Sequence, residues 1–429
     1  MNIRRIRAII AGLVLVCAGS ALAQPEWAKG VDRLVWGNAG SIDGDPAILE
    51  TILEFEAWTG IDVEIVPVPD LSQTTEWART LALGEGTYDV IDVLVGLGNP
   101  EWARNGWIVP LDDVVPEGLR QDWLPSAVEA GTYDGELYWM PHYGQTLMLG
   151  YRSDLLEEAG FDGPPQTWDE LLEVAQALTI DENGDGNPET FGFAFPTLGD
   201  YGLWTFKSFL KGGGGQMWNE DGTPAFLGEE GLQALEFLDG LMESGSVPEG
   251  VTEYTAGDAG EVLSGGQAAM ALLSTGGVID ATRQSTPYGQ YLEVAPLPTI
   301  RPASEMDNEF VYNASYNGVV VNADSPNIEA AKQLALFMGT YASSWNEGAV
   351  EGNIPVVRST YESPYLQKHF SYADAILEQF NRANSDIHQG YAAYLEPVNQ
   401  ALQNVLNGQM EPQEALDWLD DRLQELEVY

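Results

Sequence analysis

The sequence predicts an α/β fold with a mostly parallel sheet, divided between two domains. Three observations carry this. Apolar runs of strand length alternate with helix-periodic segments from residue 34 onward. Helix starts further along bear complete capping signals. The chain has 429 residues and 44% apolar content, enough for two cores and more than one ordinary domain needs.

At the start, Arg4, Arg5 and Arg7 precede the apolar run Ala8–Cys17 and a stretch ending Ala21-Leu22-Ala23. A basic segment, an apolar segment and an A-x-A site predict an export leader cleaved after Ala23, so the expected location is periplasmic. A cell-surface lipid anchor would require Cys17 behind a small residue, and Val16 stands there. Leu34-Val35-Trp36 predicts a strand and "GNAGSIDGD" a loop. Ile48, Leu49, Ile52 and Phe55 form a helix face that Gly60 ends. "IDVEIV", ending before Pro67, and Tyr88–Gly96 predict two more strands. Thr167 with Glu170 is a capping box, and "KGGGGQ" at 211–216 is a loop. Ser325-Pro326 predicts an N-cap for a helix carrying Ile328, Ala331, Leu334, Ala335 and Met338. From Tyr391 two helices follow, broken near Gly408. No later stretch approaches the roughly 20 apolar residues of a spanning helix.

Composition excludes several classes. With 18 basic against 66 acidic residues the net charge is −48, which repels nucleic acid and anionic lipid. The acids are spread along the chain, as on a well-hydrated surface suited to high salt, where screening relieves self-repulsion. The one cysteine, Cys17, lies in the leader, so the exported chain has no disulfide. The histidines are His142, His369 and His388, with no H-E-x-x-H and no G-x-S-x-G pattern. A secreted glycosidase using two carboxylates stays a remote alternative, because 66 acids always bring some pair together.

"LSGGQ" at 263–267 is the string by which ABC-transporter ATPases hold nucleotide phosphate at a helix start. Such an ATPase also needs G-x-x-x-x-G-K-[ST]. After the leader the lysines are Lys29, Lys207, Lys211, Lys332 and Lys368; only Lys207 precedes Ser or Thr, and Phe206 stands where glycine is needed. The ATPase reading fails.

The surrounding segments resemble a known family. "YDGELYWMPHYGQTLMLGYRSDLLEEAG", "QTWDELLEVAQAL", "VLSGGQAAMALLSTGGVID", "YLEVAPLPTI", "YNGVVVNADSPNIEAAKQLALFM" and "EGNIPVV" follow one another in order. In that order and spacing the chain resembles the extracellular solute-binding proteins of carbohydrate ABC importers, the group that includes maltose-binding protein. The resemblance implies a two-lobe periplasmic-binding-protein fold of type II, with ligand in a cleft between lobes joined by crossover strands. It implies lobes at 24–143 plus 290–342 and at 144–289 plus 343–429. It also implies a monomeric receptor, not an enzyme, that binds a mono- or oligosaccharide and delivers it to membrane permease subunits. A polyol, glycerol phosphate or polyamine stays open as the ligand. Two departures stand out. The family's Y-N-x-D is Tyr151-Arg152-Ser153-Asp154 here, and "STGGVID" lacks the aromatic that often follows the A-M segment.

Sugars need flat aromatics for their C–H faces and polar side chains for their hydroxyls. By position in the pattern the candidates are Trp36, Asn38, Asp43, Asp92, His142, Tyr143, Gln145, Tyr201, Trp204, Gly276, Gly277, Tyr316, Asn353, Arg358 and Tyr394. Each has a structural alternative. Trp36 shares a strand face with Leu34, His142 can be a core histidine, and Arg358 can pair with an acid. "DENGDGNPE" sets Asp181, Asn183, Asp185, Asn187 and Glu189 in an EF-hand-like spacing, with Gly186 at the sharp turn and Gly192 where the bidentate acid belongs. A structural Ca2+ is expected there, against a metal-free turn. No cofactor is required.

Overall fold

Two β-sheets divide the chain. The computed structural model describes residues 24–39, 46–68, 73–84, 86–94, 99–219, 221–275, 286–369, 373–385, 391–426 and 428. Its strands are β1 (Arg33–Ala39), β2 (Asp62–Val68), β3 (Val90–Leu94), β4 (Thr132–Tyr133), β5 (Glu136–Leu137), β6 (Met140–Gln145) and β7 (Leu147–Arg152). Then come β8 (Phe191–Ala194), β9 (Ala268–Ser274), β10 (Leu292–Ala295), β11 (Tyr312–Asn313), β12 (Ser315–Val321), β13 (Ile354–Pro355) and β14 (Ala383–Asn384). The first sheet has the order β13-β6-β12-β3-β1-β2 and the second β10-β7-β9-β8. Two small pairs, β4–β5 and β11–β14, complete the set.

The expected start is found: strand β1, the helix Pro46–Thr59, strand β2. Leu34 and Trp36 share one face of β1 and are fully buried, as are Ile48, Ile52 and Phe55 on the helix. Full burial of such side chains contributes about 1.5–3 kcal/mol each. Strand β2 continues through Pro67 to Val68. It is an edge strand, so the missing N–H of Pro67 costs the ladder nothing on the open side.

The sheets are mixed, not mostly parallel. β1 pairs parallel with β2 and β3, and β8 with β9. β12 runs antiparallel to β3 and β6, and β7 antiparallel to β9 and β10. The reversed strands are those entering from the other sheet, without a βαβ crossover to set them parallel.

The expected lobe boundaries move for the same reason. β10 lies in the second sheet, so the segment from 290 belongs there until the chain crosses at β11. The helix Tyr341–Asn346 packs on Pro46–Thr59, and β13 pairs with β6, so residues 343–355 stay with the first sheet. The helices Tyr391–Leu406 and Pro412–Glu425, parted at Gly408 (φ 63°), pack on Asp200–Gly212 and Glu229–Glu243 of the second lobe.

The Thr167 capping box forms in full. Ser325 does not cap its helix, which starts at Ile328 behind Asn327. Its hydroxyl instead accepts from the Asn327 N–H and binds the Asp89 carboxylate at 2.5 Å. "LSGGQ" closes a helix, Ala256–Ser264, where an ATPase would use it to open one. The amides of Gly265, Gly266 and Gln267 donate to the carbonyls of Glu261, Leu263 and Val262, leaving none for a phosphate.

β12 is irregular at Asn317/Gly318, and a Cβ on Gly318 would lie 2.2 Å from the Met140 carbonyl oxygen and 2.6 Å from the Trp139 ring. Gly318→Ala is therefore expected to destabilise the chain by about 1–3 kcal/mol. A urea-unfolding midpoint unchanged from wild type would contradict that contact.

Candidate functional site

Strand register places one edge of each sheet face to face. β1 and β3 run in one direction; β12 opposes β3 with Asn317 opposite Leu94, and begins at Ser315 opposite Gln145 of β6. The ends of β1, β3 and β6 and the start of β12 therefore share one edge. β6 passes into β7 through the single residue Thr146. In the second sheet Leu147 opens β7 opposite Ser274, the last residue of β9, and β8 runs parallel to β9. The carboxyl ends of the parallel strands of both sheets thus meet at the crossing, where α/β sheets bind ligands.

Of the candidates, Gln145, Tyr201 and Trp204 lie at this crossing. Gln145 ends β6 half-buried, and among the described residues its amide has no hydrogen-bond partner. Tyr201 and Trp204 stand on the first turns of the helix Asp200–Gly212 that follows β8, edge to face with ring centroids 5.6 Å apart. Trp204 is buried and Tyr201 half-buried. Burial pushes the Tyr201 phenol up from its ordinary value, while its hydrogen bond with Ser274 pulls it down. Ser274 was missed in the sequence; nothing marks a serine at a strand end except the glycines that follow. Asp43, Gly276 and Gly277 lie outside the described residues.

A second group turns into the core of the first lobe. His142 Nε2 lies 2.9 Å from Glu347 Oε1, both side chains fully buried. Asn353 Nδ2 donates to Glu347 Oε2 at 2.9 Å. Asp92, 4% exposed, sits in the field of both, with its Oδ1 unpartnered. Its pKa is pushed up to about 7, first by burial and further by Glu347, against the opposing pull of His142 and a Val93 backbone hydrogen bond. Among these candidates for the ligand, His142 and Asn353 are engaged by Glu347, and Asp92 is buried in their field. That glutamate sits on a π-helical turn, Glu347–Glu351, which apolar periodicity does not announce. Tyr143 is half-buried with its ring 5.1 Å from His142.

The remaining candidates are structural in this conformation. Trp36 is fully buried and donates to Asn38 Oδ1 at 3.2 Å, with Asn38 itself 2% exposed. Tyr316 bonds Ser126 and packs on Phe380, and burial raises its phenol pKa. Tyr394 packs on Trp218 at 5.1 Å in the second lobe. Arg358 donates to the Gln121 carbonyl at the surface. A cavity of about 420 Å³ between the helix Pro125–Gly131 and Asn384–Ser385 is lined by none of the candidates.

In the 181–189 loop the Asp181 carboxylate accepts from the amides of Gly184, Asp185 and Gly186, which lowers its pKa. Glu189 accepts from the Glu182 amide and the Asn183 side chain. As placed, these side chains serve the loop, and no group of three His, Cys, Asp or Glu among the described residues is arranged to hold a metal.

A model of the bacterial extracellular solute-binding proteins matches residues 39–343. A probable ABC transporter-binding protein of Deinococcus radiodurans is 25% identical over 381 residues, 86% of this chain and 88% of that protein. The galactooligosaccharide-binding protein of Bacillus subtilis is 25% identical over 410 residues, 91% of this chain and 88% of that one. Among solved structures, maltose-bound MalE3 of T. maritima superimposes with TM-score 0.79 at 24% identity, covering 92% of this chain and 99% of that one. An Agrobacterium vitis solute-binding protein with bound D-mannitol gives 0.75 at 21%, covering 92% and 98%. The fold is that of the type II periplasmic binding proteins.

Asp92 sets a pH dependence. Its folded pKa lies above its ordinary value of 3.8, so the native state holds a proton the unfolded chain releases between about pH 4 and 7. Its contribution to stability is present below pH 4 and lost as pH rises through 7. Asp92→Asn is expected to gain stability relative to wild type across that window and to hold the gain at pH 8. Parallel denaturation curves, with a constant difference from pH 4 to 8, would show that Asp92 does not titrate there.

Proposed function

Because this chain belongs to the bacterial extracellular solute-binding protein family, we propose that it is the exported, monomeric receptor of an ABC importer. It takes a neutral sugar or polyol between its sheets and presents it to a membrane permease. The carrying observation is the convergence of Gln145 with Tyr201 and Ser274 where β6 passes into β7. A half-buried amide that ends β6 and a half-buried tyrosine bonded to Ser274, both at the crossing, suit a ligand of hydroxyls and C–H faces. The ligands named for its relatives, galactooligosaccharide, maltose and D-mannitol, fall in that class. A phosphate ligand needs a free guanidinium or ammonium. Near the crossing, Lys207 donates to the Ser385 carbonyl, while Arg152 stands at the far end of β7, held by Asp154. Rotation of the lobes about the crossing segments closes the ligand in.

No cofactor enters this reading. For the 181–189 loop we propose Ca2+ as a stapling ligand that re-points Asn183 and Glu189 away from each other. The Asp181 bond to the Gly186 amide already folds the turn. Calcium is expected to raise the unfolding midpoint of chelator-treated protein saturably, and Asp185→Asn to abolish the rise. No rise in wild type assigns the loop to a metal-free turn.

The test is a thermal-shift screen in high salt against sugars, polyols, polyamines and glycerol phosphates. Binding to the native state alone raises the midpoint with ligand concentration. A shift with one sugar or polyol family is expected. Tyr201→Ala should weaken that ligand at least tenfold, about 1.4 kcal/mol, while the ligand-free midpoint stays within a few degrees of wild type. A shift only with polyamine or phosphate overturns the ligand class, and cleavage of an added oligosaccharide overturns the receptor.

A further inference from the structure

Three segments join the lobes: Thr146 between β6 and β7, the β11 segment leading into β12, and the stretch from the helix Ala373–Phe380 through β14. The last two run side by side, with Tyr312 opposite Ala383 and Asn313 opposite Asn384. One side chain touches the others' neighbourhood from the third. Gln379, 1% exposed, donates from Nε2 to Thr146 Oγ1 at 2.7 Å and to the Leu147 carbonyl at 2.8 Å. Its Oε1 accepts from the Leu297 N–H, just beyond β10, at 2.9 Å. Both amide protons and the carbonyl are thereby used. The reverse amide orientation is excluded, because it would set oxygen against the Leu147 carbonyl and NH2 against the Leu297 N–H. Thr146, also 1% exposed, accepts through its hydroxyl and passes the single proton on to the Asn313 carbonyl at 2.6 Å. The Thr146 carbonyl accepts from the Thr275 N–H, directly after Ser274.

We propose that Gln379 is a positioning residue for ligand binding. The chain Gln379–Thr146–Asn313 ties the three connections so that they bend as one hinge. This holds Gln145, one residue before Thr146, in register with Ser274 and Tyr201 across the crossing. Without the amide, two buried acceptors and a buried N–H lose their partner, and each connection bends on its own. The residue touches no ligand; it acts through the geometry of the hinge. The sugar arm of the test rests on the receptor reading above, and the distance arm does not.

The chain's one cysteine makes labelling simple. In a C17S background, spin labels at E117C and E243C, on exposed helix positions of the first and second lobes, report the inter-lobe distance distribution by pulsed electron resonance. Without ligand, Gln379→Met is expected to broaden that distribution at least twofold, and Thr146→Val, which removes both the acceptor for Gln379 Nε2 and the relay to Asn313, to broaden it as well. The double variant should match Gln379→Met alone, because both act through one chain. Affinity for the sugar that shifts wild type should fall at least tenfold in Gln379→Met. Widths equal to wild type in folded variants with a single cooperative melt overturn the proposal. If Gln379→Met does not fold, an unchanged width in Thr146→Val overturns it by itself. A wild type that answers no sugar strikes the receptor reading, while the widths still decide the clamp.

Discussion

A single residue, Thr146, separates the last strand position of one sheet from the first position of the other. That spacing is the constraint from which the rest of the molecule follows. A strand rises about 3.3 Å per residue, so the two sheet edges sit within a few ångströms of each other at this point. β12 must then start beside the end of β6, and β9 must end beside the start of β7. The carboxyl ends of the parallel strands β1, β3, β8 and β9 face the same gap. The site is a consequence of topology before any side chain is chosen.

Sequence patterns foretold those parts of the fold whose physics is local. The Thr167 box, the Gly408 break and the first strand–helix–strand run depend on capping, φ and periodicity over a few residues. Strand direction and lobe membership were misread, because they depend on partners far along the chain. Nothing within "YLEVAPLPTI" says that it pairs with Tyr151 and Arg152 rather than with the first sheet. The LSGGQ string makes the same point. Five letters that open a helix in one protein end one here, and the preceding helix decides which.

The candidate residues divide along the same line. Gln145, Tyr201 and Trp204 lie at the crossing because they end or follow strands. Asp92 and His142 also lie on strands at the right height, but alternation turns them toward Glu347 and away from solvent. One-residue steps along a strand exchange cleft for core, so position in a motif does not fix the face. Glu347 and Gln379 were invisible: no apolar periodicity or cap marks either of them, and His142, which Glu347 meets, and Thr146, which Gln379 binds, are more than 200 residues away in sequence.

The chemistry of the hinge stands apart from that of the surface. A chain with net charge −48 feels strong self-repulsion that depends on ionic strength. The hinge contacts are of another kind: an amide, a hydroxyl and main-chain groups, all buried and all within 3 Å. The nearby Arg382 guanidinium is likewise committed to the carbonyls of Ala303, Met306 and Asn308. Neutral hydrogen bonds at contact distance are insensitive to screening over the 8–10 Å Debye length of ordinary salt. Salt therefore acts on the charged surface and leaves the contacts among Thr146, Gln379 and Asn313 as they are. An acidic surface can then follow the demands of the medium without disturbing the motion that binding requires.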